Sequence, residues 1–169
     1  MALDGIVISN VVKELNDCLT GGRINKIAQP EKDELLLTIE NNRDQYKLLI
    51  SAGASLPLIY LTEDNKPSPM TAPNFCMLLR KHLNSARIMS ITQPGLERIV
   101  DITIEHLNEL GDACTKHLIV EIMGKHSNII FVDDEKKIVT ALSMYPRLLV
   151  PYVRYFLGVN ILFLRHSTN

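Results

Sequence analysis

The fold class follows from one stretch, Arg98-Ile99-Val100-Asp101-Ile102-Thr103-Ile104, which has the clearest strand pattern in the chain. Successive side chains of a strand point to opposite faces, so odd and even positions are separated. After Arg98, the even positions Val100, Ile102 and Ile104 are all branched and apolar, whereas the odd positions include Asp101 and Thr103. The turn residues Pro94-Gly95 precede the stretch. The pattern predicts a strand that begins at a turn and buries one face completely.

Further strand-like segments lie on both sides of this stretch, spaced by roughly ten residues and bounded by Gly, Pro, Asn and Asp. This spacing predicts an antiparallel meander. The segments are Arg23–Ile27, Glu34–Glu40, Tyr46–Ser51, Leu58–Leu61, Arg87–Thr92, Lys116–Ile122 and Asn128–Val132.

Two segments have helical rather than strand periodicity. From Asp4 to Leu19 the apolar residues recur at spacings of three and four, with Asp4 placed to cap the first turn. Gly21-Gly22 ends this helix, because glycine adopts the left-handed conformation at little cost. A second helix is predicted over Asn74–Ser85, after a proline-rich loop. Two helices with a mostly antiparallel sheet predict an α+β fold.

The composition is that of one globular domain. The chain has 169 residues, 46% of them hydrophobic, and a formal net charge of -1, so any grip on nucleic acid must come from a local cluster of cations. The three cysteines and five histidines have no metal-ligand spacing, and we expect neither a metal nor a cofactor. The N-terminus lacks the pattern of a signal peptide, and no run is apolar enough to span a bilayer, so a cytoplasmic protein is expected.

Two polar segments interrupt the apolar strands. The first is Gly95-Leu96-Glu97-Arg98, where the acid and the guanidinium form either a weak surface ion pair or a group oriented toward phosphate. The second is Gly124-Lys125-His126-Ser127-Asn128, either an ordinary polar hairpin turn or a set of donors beside a glycine that admits a ligand. No nucleophile motif or phosphate-binding loop accompanies them.

Further cations lie outside these two segments. Arg23 and Lys26 belong to the first strand, and Arg80, Lys81 and His82 to the second helix. If the fold brings them together with Arg98, they form one patch that follows a phosphate backbone. Aromatic residues make up only 5%, which favours recognition of folded RNA by its backbone over base stacking.

Four segments together resemble the NFACT N-terminal domain of bacterial RqcH, a family also known as FbpA-like or fibronectin- and fibrinogen-binding proteins. The segments are Gly21–Ile27, Phe75–Leu83, Gly95–Ile99 and Glu121–Ile130, and Leu3-Asp4-Gly5 also matches. The resemblance covers residues 1–139. It implies a β-sandwich with two flanking helices, similar to the N-terminal domain of formamidopyrimidine-DNA glycosylases. Those enzymes use an N-terminal proline, whereas this chain has Ala2 and Leu3, so neither DNA-repair chemistry nor any other catalysis is expected.

The resemblance also implies a function. Members of the family bind the large ribosomal subunit after a stalled ribosome has split, with peptidyl-tRNA in place, and recruit alanyl-tRNA to add an alanine tail. An acidic residue followed by arginine is needed for tailing. Here that pair is Glu97-Arg98, whereas the family usually has aspartate, which puts the hydrogen bonding of the acid in doubt. The predicted tRNA-binding residues are Glu97, Arg98, Lys125, His126, Arg80, Lys81, Arg23, Lys26 and Asp4.

Residues 140–169 do not resemble the family. We interpret them as a tail produced by a shifted reading frame or an altered chain end, dispensable for the domain. The alternative function, suggested by the older family name, is a surface adhesin for fibronectin or fibrinogen. The lack of a signal-peptide pattern and of an anchor is evidence against it.

Overall fold

The computed structural model describes residues 4–53, 57–124 and 127–143. These residues form two helices and nine strands, which confirms the α+β prediction. The helices are α1 (Gly5–Leu19) and α2 (Asn74–Leu83). The strands are β1 (Arg23–Ala28), β2 (Glu34–Asn41), β3 (Asp44–Ser51), β4 (Leu58–Thr62), β5 (Arg87–Thr92), β6 (Ile99–Leu107), β7 (Ala113–Glu121), β8 (Asn128–Val132) and β9 (Ile138–Ala141).

All nine strands belong to one hydrogen-bonded sheet in the order β4-β3-β2-β1-β5-β6-β7-β8-β9, and every pairing is antiparallel. The strands are thus not divided into two separately bonded sheets, and whether the two halves of this one sheet form the expected sandwich stays a prediction. The likeness to the glycosylase domain stays a prediction. The boundary predicted after residue 139 falls inside β9, whose Thr140 pairs with Phe131.

The middle of the sheet is a narrow junction between two halves. Among the described residues β1 and β5 share one register pair, Arg23 with Arg87. Backbone bonds flank this pair on both sides: Gly21 N to Ile88 O and Ile88 N to Gly22 O at 2.7 and 2.8 Å, and Ile24 N to Ala86 O and Ser85 N to Ile24 O at 2.8 and 2.9 Å. Because the strands are antiparallel and overlap only where each begins, β1 and β5 leave the junction in opposite directions. Residues at their far ends are therefore well separated.

One apolar cluster spans both halves and both helices. Helix α1 contributes Ile8, Val12, Leu15 and Leu19, the apolar stripe that its sequence predicts. Helix α2 contacts β1 in one half and β6 and β9 in the other, with Leu79 fully buried. Burial of such side chains contributes about 1.5–3 kcal/mol each. The helices therefore stabilise a junction that few strand pairings hold.

Candidate nucleic-acid interface

The turn between β5 and β6 carries the first polar segment. Gly95 adopts a φ of 54°, and Glu97 N donates to Pro94 O at 3.1 Å, which closes the turn. Both Glu97 and Arg98 are exposed. Within the described part of the chain, neither side chain has a hydrogen bond or an ion pair. The guanidinium of Arg98 is thus not engaged by the neighbouring acid or by any other described side chain.

Helix α1 begins directly against this turn. The Asp4 carboxylate accepts a hydrogen bond from Val7 N at 2.9 Å, which confirms Asp4 as the N-cap. A Cβ added to Gly5 would lie 1.9 Å from Leu96 O, so only glycine allows this approach. Gln93 Nε2 then joins the two parts by donating to Gly5 O at 2.9 Å and to Glu97 O at 2.7 Å.

The turn between β7 and β8, the second polar segment, lies at the same end of the sheet. Ile122 N donates to Arg98 O at 2.9 Å, so the two turns are adjacent. The Ser127 hydroxyl donates to Gly124 O at 2.7 Å and accepts from Met123 N at 2.9 Å, which fixes the base of the turn. Lys125 and His126 lie outside the described residues, so their predicted roles stay predictions.

These contacts define a surface that we call the Arg98 end: Asp4, Glu97, Arg98 and the base of the β7–β8 turn. A helix N-terminus carries a partial positive charge and unpaired N–H groups, which favour anions. Here the Asp4 carboxylate already occupies part of that position. Arg98 therefore supplies the free positive charge among the described side chains of this surface.

The remaining predicted cations do not join the Arg98 end. Arg23 lies at the junction, separated from the β5–β6 turn by the length of β5, about 20 Å at 3.3 Å per residue. Lys26 lies farther along β1, and Arg80 Nε donates to Ile27 O at 2.8 Å. Lys81 is exposed near the end of α2. The expectation that all of these cations converge on one surface is wrong, because β1 and β5 diverge from the junction.

One partly buried polar arrangement resembles the geometry of a catalytic relay without providing it. Asp101 Oδ1 lies 3.0 Å from His117 Nδ1, and Thr103 Oγ1 lies 3.4 Å from the same nitrogen. A relay needs the acid and the hydroxyl on different ring nitrogens, so that a proton can pass through the imidazole. Sequence reasoning did not single out His117, because the pairing of β6 with β7 brings it to Asp101.

Residues 4–53, 57–124 and 127–143 contain no group of three or more His, Cys, Asp or Glu side chains placed to hold a metal ion. Over the same ranges, no helix reaches the length and apolarity that crossing a bilayer demands. The candidate interface therefore rests on charge and shape.

Comparison with known proteins identifies related chains. The family model described as NFACT N-terminal and middle domains matches residues 4–148. The Rqc2 homolog RqcH of Streptococcus pneumoniae (strain D39) is 45% identical over 133 residues, 79% of this chain and 24% of that protein. The human ribosome quality control complex subunit NEMF is 33% identical over 132 residues, 78% of this chain and 11% of that protein.

A solved structure is similar over most of the described fold. The N-terminal domain of the fibronectin-binding protein PavA from Streptococcus pneumoniae superposes with a TM-score of 0.80 at 44% identity, covering 83% of this chain and 53% of that one. The chain thus spans about a quarter of the length of the bacterial relative and about half of the solved domain.

Proposed function

The chain belongs to the family of NFACT N-terminal and middle domains, and on this premise we propose that it is the RNA-binding part of a ribosome quality-control factor. Its relatives are named as RqcH and as a subunit of the ribosome quality control complex. In this proposal the domain binds tRNA, contacts the large ribosomal subunit that holds peptidyl-tRNA, and supports alanine tailing. It acts in the cytoplasm and makes or breaks no bond itself.

The observation that carries the proposal is the exposed guanidinium of Arg98, which has no partner among the described residues and lies on a turn that is fixed from two sides. Helix α1 holds the turn through Gln93, and the residue that follows β7 holds it through the bond from Ile122 N to Arg98 O. A turn that is already fixed needs no ordering of its backbone when Arg98 binds, and the planar fork of the guanidinium matches phosphate oxygens. Arg98 is therefore suited to contact an RNA phosphate.

Replacement of Arg98 by alanine tests the proposal. We expect tRNA affinity to fall about tenfold and the salt dependence of binding to decrease by about one phosphate contact. Fluorescence anisotropy with a labelled tRNA transcript at about 50 and 200 mM salt measures both quantities. Lys32→Gln is the matched control, because it removes an exposed cation from the β1–β2 loop, away from the Arg98 end.

Two further variants test whether the neighbouring acids, Asp4 and Glu97, contribute to tRNA binding. Asp4→Asn keeps an N-cap and removes only the charge, so a change in tRNA affinity without a change in stability would show a role beyond capping. Glu97→Asp restores the acid usual in the family, and we expect affinity equal to or higher than that of the parent chain. Equal tRNA affinity of the parent at low and moderate salt would refute the proposal.

A surface adhesin is the second candidate, favoured by one observation: the similar solved domain carries the name of a fibronectin-binding protein. Adhesion requires display outside the cell. Detection of the full-length protein on washed, intact cells, with binding of labelled fibronectin that Arg98→Ala leaves unchanged, would favour the adhesin over the RNA-binding proposal.

A further inference from the structure

Two arginines face each other across the junction of the sheet. Arg23 of β1 and Arg87 of β5 are direct register partners, and both side chains are exposed. Directly opposed residues of an antiparallel pair lie on the same face, about 4.5–5.5 Å apart at Cβ. Like charges at that distance destabilise a strand pair unless something neutralises them. The pairing therefore places two guanidinium groups within reach of one small anion.

Neither guanidinium has a partner among the described residues, where no hydrogen bond or ion pair involves either side chain. The same row of the sheet continues to Glu40, opposite Arg23, and to Glu105, opposite Arg87. Glu40 accepts instead from Asn25 Nδ2 at 3.0 Å. The two acids make the row neutral overall, so the fold tolerates the central pair, but they leave the arginine donors unused.

A cavity of about 470 Å³ opens over this pair. Besides the two arginines, the lining residues are Gly21, the acid Glu40, and three asparagines, Asn25, Asn41 and Asn42. Asn41 is held in place because its Nδ2 donates to Cys18 O at 2.8 Å. Two guanidinium groups without a partner among the described residues, set against the one carboxylate of Glu40, leave this polar cavity with a net positive charge, which suits a tetrahedral, hydrated anion better than an apolar ligand.

We propose that Arg23 and Arg87 form a phosphodiester-binding clamp, a second RNA contact separate from the Arg98 end. This inference rests on the proposed function. The clamp lies at the opposite end of β5 from the β5–β6 turn, on the sheet face away from the apolar cluster that contains Ile24 and Ile88. The clamp and the Arg98 end lie on different surfaces, and the domain therefore binds RNA at two places.

The experiment compares four variants in two binding arms. The variants are the double replacement Arg23→Gln with Arg87→Gln, the single replacements Arg98→Ala and Arg87→Lys, and the control Lys32→Gln. One arm uses a tRNA transcript and the other uses purified large ribosomal subunits, which separates the two sources of phosphodiester groups. We expect the double variant to weaken binding about tenfold in at least one arm, with the salt dependence reduced by about one phosphate contact. Arg87→Lys, which keeps charge but loses the fork, should recover only part of the affinity.

A stability measurement separates the clamp from a structural role. Without RNA, the double variant should keep a Tm close to that of the parent, because it removes the repulsion between the two arginines together with their attraction to Glu40 and Glu105. A lower Tm, or unchanged affinity and salt dependence in both arms, would overturn the clamp. If Arg98→Ala still weakens tRNA binding in that case, the proposed function survives. If the parent chain binds neither tRNA nor the large subunit, both the proposed function and the clamp are refuted.

Discussion

At the scale of a single residue, the protonation of His82 makes the stability of the fold depend on pH. Its ring packs against Phe131, with centroids 5.6 Å apart, at the edge of the apolar cluster. Burial lowers the pKa of His82 below its ordinary value of 6.5, and the nearby charges of Lys116, Lys81 and His106 lower it further, opposed by Asp133. The folded protein therefore holds this ring neutral where a free histidine would begin to take up a proton.

The sign of the effect on stability follows from linkage. With the folded pKa below the unfolded one, the unfolded state binds the proton more readily, so stability is full above pH 6.5 and decreases as the pH falls below it. We expect His82→Phe, which keeps a ring and cannot be protonated, to reduce the fall in Tm between about pH 7.5 and 5.5. Thermal unfolding followed by circular dichroism over that range measures it.

Lys81→Gln provides the companion variant, because it removes one of the repelling charges and keeps the imidazole. Its acid-induced loss of Tm should fall between those of the parent and His82→Phe. A parent and a His82→Phe variant with the same loss over the window would show that His82 does not control the acid stability of the domain.

At the scale of secondary-structure elements, the sequence predicts those boundaries that are determined by residues next to them in the chain. Helix α1 begins and ends where Asp4 and the glycine pair indicate, and Gly21 has a φ of 89°. The β6–β7 hairpin is longer than predicted, because the Asn108 side chain accepts from Leu110 N and Asp112 N and so brings the turn together. The sequence had shown only that the apolar alternation stops at Ile104.

Strand β9 was not predicted, because it has four residues and crosses the expected end of the domain. The fold ties it to β8 through one buried side chain. Asn128 Nδ2 donates to Ser143 O at 3.0 Å, and its Oδ1 accepts from Ser143 N and from Ile129 N at 2.9 Å. Residues up to Ser143 therefore belong structurally to the sheet.

Two truncations test this boundary. A chain that ends at Val139 loses the pairing of Thr140 and Ala141 and leaves the buried Asn128 amide without its partner at Ser143. We expect its free energy of unfolding to fall by about 2–4 kcal/mol, since an unsatisfied buried polar group alone costs about 1–3 kcal/mol. Urea denaturation measures the change.

A chain that ends at Ser143 is the control, because it keeps these contacts. Its stability should match that of the parent if the tail is dispensable as predicted. Equal loss in both truncations would instead place the stabilising contribution after Ser143 and contradict the predicted tail. Equal stability in all three chains would show that β9 contributes nothing measurable.

At the scale of the whole molecule, the sequence predicts the members of the candidate site better than their arrangement. Asp4 lies close to Glu97 and Arg98 because of tertiary contacts. The one residue type in the sequence that is consistent with this close approach is Gly5, where a Cβ would collide with Leu96 O. The prediction that Arg23 and Arg80 converge with Arg98 was wrong. To predict their positions one must know the directions in which β1 and β5 leave the junction, and the sequence does not show these directions. Arg87 was missed for the same reason: nothing near it in the sequence identifies Arg23 as its partner.

The narrow junction raises the question of whether the two halves of the sheet unfold together. The shared apolar cluster includes Leu37 and Leu48 from one half and Ile102 and Leu118 from the other, with Leu79 of α2. Because α2 contacts strands of both halves, we expect one cooperative transition. Native-state hydrogen exchange should give the slowest amides of β2–β3 and of β6–β7 the same free energy of opening.

The variant Leu79→Ala makes this expectation quantitative. Its side chain is fully buried, so its truncation should cost about 2–5 kcal/mol. In a cooperative domain, the slowest amides of both halves lose this same amount. Met77→Ala is the control on the same helix, because Met77 is 52% exposed and its loss should cost less than about 0.5 kcal/mol. A loss confined to β6–β7, with β2–β3 unchanged, would mean that the junction separates two independent folding units despite the helix that joins them.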